Sequence, residues 1–120
     1  MKKFLAIYTG SVAASEKAQR DIPDEAKRKE RDQAGMQAWG AWVGKHEAAI
    51  VDNGSPLGKT KRVGPDGISD IRNAMAAYTI VEADSHEAAA KMFENHPHFA
   101  IFPGEAVEIM ECLPMPGPTK

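Results

Sequence analysis

Apolar and polar positions alternate with two different periods along the chain, and the changes of period predict the order strand, helix, strand, strand, helix, strand. Residues 3–9 are dense in strand formers. Alternation puts Phe4, Ala6 and Tyr8 on one face and Leu5, Ile7 and Thr9 on the other, so both faces are largely apolar. Gly10 closes this run, and residues 11–22 admit either a short surface helix or an ordered loop. Pro23, Asp24 and Glu25 open a helix, because Pro suits a first turn and acidic groups suit the positive end of the helix dipole. From Met36 onward, Trp39, Val43, His46 and Ile50 recur at three- and four-residue steps, with Trp42 at the edge of the stripe. Gly40 and Gly44 flank it. Each costs the helix about 1 kcal/mol relative to Ala, so close backbone packing is their expected use.

Asn53, Gly54 and Pro56 are predicted to stop this helix, with a short strand following over 57–63. Gly64-Pro65-Asp66-Gly67 is a turn, and 68–72 reads as part of a longer connection. Residues 74–83 form the clearest strand, again apolar on both faces. Asp84, with Glu87 three residues on, predicts a capped helix to about residue 95, ended by His96-Pro97-His98. A last strand covers 106–112. The expected domain is 1–113, and 114–120, with three prolines, is a tail.

That order in one small domain predicts an α+β, ferredoxin-like βαββαβ fold: a four-stranded antiparallel sheet with both helices on one face. Two helices cover only one face, yet the first and third strands are apolar on both. A second copy of the chain is the simplest cover, so a homodimer with sheets packed face to face is expected.

Composition narrows the partners. A chain of 120 residues with a 42% hydrophobic share fits one compact domain. A formal charge of −2 gives no basic footprint for nucleic acid or an anionic membrane surface. The opening Met-Lys-Lys and apolar run resemble a short secretory leader, but Tyr8, Thr9 and Gly10 interrupt the run and it reads as a strand. No segment reaches the 18 or so apolar residues of a membrane span. The lone Cys112 excludes an intrachain disulfide, fits a reducing, cytoplasmic setting, and is expected to be a small buried hydrophobe.

The candidate chemistry centres on histidines. His46 falls on the same helical face as Trp39, Val43 and Ile50, so it is either a hydrogen-bonded core residue or an acid/base or ligand-anchoring group. Trp39 and Trp42 beside it are either plain core or walls of a flat pocket, with Tyr78 on the third strand. His96 and His98 flank a Pro that biases His96 toward an extended backbone, which sets both rings on one side of the chain. No third His or Cys stands at a metal-site spacing, so neither metal nor cofactor is assigned. Asp52 after the first helix is either structural or a ligand contact, and Asp84 is a helix cap. No serine elbow, phosphate loop or dinucleotide fingerprint occurs.

With these residues in view, the chain resembles the YCII-related proteins, in particular their DGPF-like branch. The likeness is carried by Lys3 to Tyr8, the paired Trp39 and Trp42, the Gly54-Ser55-Pro56-Leu57 exit, the run from Tyr78 to Ser85, and His96-Pro97-His98 before Val107 to Met110. The resemblance implies a dimeric α+β barrel with a ferredoxin-like protomer. The His and Asp pair proposed for small members has no counterpart: the first helix has no His before His46, and His96 stands where the Asp would be. Two functional expectations follow. One is a dimeric module binding a small molecule or partner through Trp39, Trp42, Tyr78 and Asp52. The other is a small isomerase- or lyase-type enzyme using His46, His96 or His98 for proton transfer in a helix–sheet pocket.

Overall fold

The computed structural model describes residues 1–10 and 12–116. In chain order the elements are β1 (Lys2–Thr9), α1 (Val12–Asp21), α2 (Glu25–Lys45), β2 (Ile50–Asp52), β3 (Thr60–Gly64), β4 (Gly67–Ile71), β5 (Met75–Ala83), α3 (His86–Lys91), α4 (Pro97–Ala100) and β6 (Ala106–Glu111). β2, β5, β1 and β6 form one antiparallel sheet in that order, and β3 and β4 form a separate two-stranded sheet. The four-stranded sheet has the ferredoxin-like order, with the β3–β4 hairpin inserted between its second and third strands.

Strand alternation explains which face is covered. Register sets Phe4 opposite Val81, Ala6 opposite Thr79 and Ile109, and Tyr8 opposite Ala77 and Val107. These residues meet Trp42 of α2 with Ala89 and Phe93 of the α3 region, and Phe4, Tyr8 and Val81 are almost wholly buried. Full burial of an apolar side chain is worth about 1.5–3 kcal/mol, so this layer anchors the sheet to the helices. The other face carries Leu5, Ile7, Tyr78, Ile80 and Met110.

Several local expectations need correction. α2 stops at Lys45, and His46 is its C-cap, its N–H bonding the Trp42 carbonyl at 3.1 Å. Ile50 therefore does not extend the helical stripe. It pairs with Val81 in β2, and this short strand, not 57–63, is the second strand of the main sheet. The β-branched pair Ile50-Val51 favours extended backbone, and a free edge of β5 offers it partners. Residues 60–64 pair instead with 67–71 across the predicted turn, so the expected connection at 68–72 is mostly strand. Gly67, with φ of 110°, permits that tight reversal.

Smaller corrections follow the same logic. The cap of α3 is Ser85, whose hydroxyl accepts from Ala88 N–H, rather than Asp84. That helix ends at Lys91, and Asn95 turns the chain with φ of 57° into α4. A Cβ on Gly40 or Gly44 would meet no neighbour within 4 Å, so neither serves close packing; Gly35, against the Phe102 ring, does. Cys112 is exposed, one residue beyond β6. Residues 12–21 resolve the helix-or-loop alternative as α1. Ser11 and part of the expected tail lie outside the described residues.

Candidate functional site

A cavity of about 660 Å³ opens between α2 and the sheet. Met36, Trp39 and Gly40 form its helix wall, Tyr8, Ala77 and Thr79 its sheet wall, and residues 53–56 and 98–104 close its ends. Its volume lies in the range of small-molecule sites, roughly 300–1,000 Å³.

The 53–56 segment is shaped by Asp52 and Gly54. The Asp52 carboxylate accepts from Gly54 N–H at 2.8 Å, and Gly54 takes φ of 69°. A Cβ there would strike the Tyr78 carbonyl, so only glycine lets this turn press against β5. Leu57 N–H then bonds the Ala76 carbonyl at 2.8 Å and fixes the segment beside the cavity.

The 98–104 segment is built on two histidines. His96 caps α4, its Nδ1 accepting from His98 N–H at 3.0 Å, with Pro97 following in the first helical turn. Gly104 N–H returns to the His98 carbonyl at 2.9 Å. Its missing side chain matters, because a Cβ would run into the His98 ring. His98 Nε2 donates to the Thr9 carbonyl at 2.7 Å, and Glu105 N–H donates to the same oxygen at 2.9 Å. The ring is thereby tied to the end of β1.

Burial sets the charge states around the site. His96 is fully buried among Tyr8, Trp39, Trp42 and Phe93, with ring centroids 5.0, 4.5, 4.7 and 5.8 Å away. Desolvation, helped by His98 and His46, lowers its pKa to about 4, so it is neutral at pH 7. Its Nε2 is buried without a hydrogen-bond partner. The Tyr8 phenol is pushed up to about 12 by burial, against a partly offsetting bond with Thr79, and stays protonated. Among the described residues, no Lys, Arg, Asp or Glu lines the cavity.

The structure separates the residues singled out from sequence. Trp39, Tyr78 and His98 line the cavity; Trp42, His46, His96 and Asp52 do not. Trp42 is core, its indole N–H donating to the Met92 carbonyl at 2.8 Å. His46 sits half-buried on Trp42, ring centroids 5.0 Å apart, its pKa lowered by burial and then by Lys45. Tyr78 pairs with Ile7, so alternation places its side chain on the opposite face from Tyr8 and Thr79, and it borders the cavity from the strand edge. Among the described residues, no group of three His, Cys, Asp or Glu is placed to hold a metal.

Tyr8, Thr79 and Phe102 line the cavity without having been singled out. Tyr8 and Thr79 carry hydroxyls on an otherwise apolar strand face, a signal available from alternation alone. Phe102-Pro103-Gly104 follows the His-Pro-His segment and has the composition of a turn that brings an aromatic ring back.

No protein-family model matches the chain, and no curated protein does. Among solved structures, the chain is similar to 5-chloro-2-hydroxyhydroquinone dehydrochlorinase (TftG) from Burkholderia phenoliruptrix, in complex with 2,5-dihydroxybenzoquinone. Identity is 18%, with 89% of each chain covered and a TM-score of 0.51. This is a likeness of fold.

Proposed function

We propose that this protein binds a small, neutral, largely apolar molecule in the cavity between α2 and the sheet, without catalysing its conversion. The observation that carries the reading is a cavity of about 660 Å³ with aromatic walls and a few polar groups, and with no Lys, Arg, Asp or Glu among its described lining residues, the usual make-up of a small-molecule site. The solved neighbour of this fold holds a planar six-membered-ring compound, which supports a ligand of that size. Residues 1–113 are the unit that carries the site, and the resemblance to YCII-related proteins belongs to the same reading. The lone exposed cysteine fits a reducing, cytoplasmic setting.

The test is a titration with 2-naphthol, followed by protein NMR. Signals of Trp39, Gly54 and Gly104 should shift together and saturate. Gly40→Leu, which fills open space on the helix wall, should abolish the shift while the fold is kept; unchanged binding in that variant retires the site.

The same reading includes a homodimer. Leu5, Ile7, Ile80 and Met110 share the sheet face opposite Trp42; Met110 is 43% exposed, Leu5 and Ile80 are half-buried and Ile7 is buried. Val63 and Ile68 pair at the tip of the β3–β4 hairpin, also exposed. Light scattering that finds a 13 kDa monomer at micromolar concentration would remove this part.

One observation favours an enzymatic alternative. With Nε2–H committed to Thr9, Nδ1 is the His98 ring nitrogen left to act as a base, the arrangement that orients catalytic histidines. Deuterium uptake from solvent into 2-tetralone, faster with the protein than with His98→Gln, would support proton transfer; equal rates would exclude it for this probe.

A further inference from the structure

We infer, building on the cavity reading above, that the sheet-side wall selects ligands that donate hydrogen bonds, so the favoured class is a neutral aromatic alcohol or N–H compound rather than an ether or a carboxylate. On that wall the protons of His98, Tyr8 and Thr79 are already committed within the protein.

His98 Nε2 lies 2.7 Å from the Thr9 carbonyl, which can only accept. Nε2 therefore carries the proton, and in the neutral ring Nδ1 holds a lone pair. His98 lines the cavity, and with Nε2 held by Thr9 and crowded by Gly104, Nδ1 is the ring nitrogen left uncommitted.

The hydroxyls of Tyr8 and Thr79 are acceptors toward the cavity as well. Thr79 Oγ1 donates to the Asn53 carbonyl at 3.3 Å and has one proton to give. At its 2.9 Å contact with Tyr8, the phenol must then be the donor, as its greater acidity also favours. What remains on Tyr8 and Thr79 is acceptor capacity alone. Because the phenol keeps its proton up to about pH 12, the wall gains no charge that would attract a cation.

The consequence is a polarity rule. A hydroxyl that meets Nδ1 or the phenol oxygen completes a bond, whereas an ether oxygen buries two lone pairs face to face. A carboxylate fares worse, since among the described residues no Lys or Arg lines the cavity to offset its desolvation.

The test compares 2-naphthol with 2-methoxynaphthalene and 2-naphthoate by calorimetry at pH 7.5, with NMR to confirm occupancy of the cavity. 2-Naphthol should bind at least about ten-fold tighter than either, the worth of one hydrogen bond. Tyr8→Phe and His98→Phe should each narrow the naphthol-to-ether ratio toward one. Equal or tighter binding of the ether, or tightest binding of naphthoate, overturns the donor rule while leaving a cavity that binds aromatics. A ratio unchanged in both variants removes these two groups as its source and overturns the assignment. Failure of all three probes to shift cavity signals at millimolar concentration overturns the site itself.

Discussion

Trp39 and Trp42 stand about one turn apart on α2, yet they belong to two different regions. Around Trp42 the chain is closed: Phe93 packs 4.9 Å away, His96 lies edge-on at 4.7 Å, and the indole N–H is satisfied by Met92. Around Trp39 it is open. Gly40 adds no side chain there, and the ring forms one wall of the cavity together with Phe102, 6.2 Å away. The difference does not come from the tryptophans. His96 meets both rings, 4.5 Å from Trp39 and 4.7 Å from Trp42. The difference comes from what else the 92–104 segment supplies, Phe93 and the Met92 carbonyl against Trp42, and the more distant Phe102 with its glycine-bearing turn against Trp39.

The largest expected effect breaks the closed region. Trp42→Ala removes a buried indole and leaves the Met92 carbonyl without its donor, which should cost about 3–5 kcal/mol. Trp39→Ala should cost less, roughly 1–2 kcal/mol, because one side of that ring already faces open space. Urea unfolding of the two variants measures both. Equal losses would mean that the cavity wall is as much core as Trp42, and the division of α2 into two regions would fail.

A mid-sized effect uses His96, which joins the regions by capping α4 beneath His98. Its folded pKa, about 4, lies below the ordinary histidine value of 6.5, so the unfolded chain takes up a proton first as pH falls. The sign follows: the neutral ring imposes no penalty above pH 6.5, stability drops between 6.5 and 4, and the loss levels off below 4. A shift of this size corresponds to about 3 kcal/mol. Comparing urea unfolding at pH 7 and 4.5 in wild type and His96→Asn isolates it from other acid effects, since Asn keeps an acceptor for His98 N–H and removes the titration. An identical pH dependence in the two proteins would show that His96 is not held neutral by burial.

The same contrast explains what could be read from sequence. β1 and β5 were legible because two-residue alternation over seven to ten positions has one interpretation, and the sheet order followed from the element order. The helix end was not. Ile50 continues a helical spacing from Trp39, Val43 and His46, and only tertiary pairing with Val81 turns it into a strand residue. His46 belongs to that stripe by spacing alone, and the helix stops one residue before it, at Lys45. His98 was visible as a candidate, but its distinction from His96 rests on Thr9, 89 residues away in the chain, and no local pattern encodes such a pairing. Tyr8 and Thr79 are legible as alternating strand residues, whereas their joint place at the cavity depends on the strand register.

The smallest effect separates three glycines of α2. By intrinsic propensity each should stabilise the helix by about 1 kcal/mol when replaced by Ala. Gly40 and Gly44 have free space for a Cβ, so Gly40→Ala and Gly44→Ala should each raise stability by about 0.5–1 kcal/mol. Gly35 faces the Phe102 ring, and a methyl there must displace it. Gly35→Ala should therefore show no gain, because the repacking of Phe102 offsets the helix term, and it should alter probe binding, because Phe102 also lines the cavity. Thermal unfolding with a parallel 2-naphthol titration reads both quantities. If all three variants gain stability equally and bind alike, Phe102 does not connect the helix to the open region, and the cavity wall at that end is looser than the packing describes.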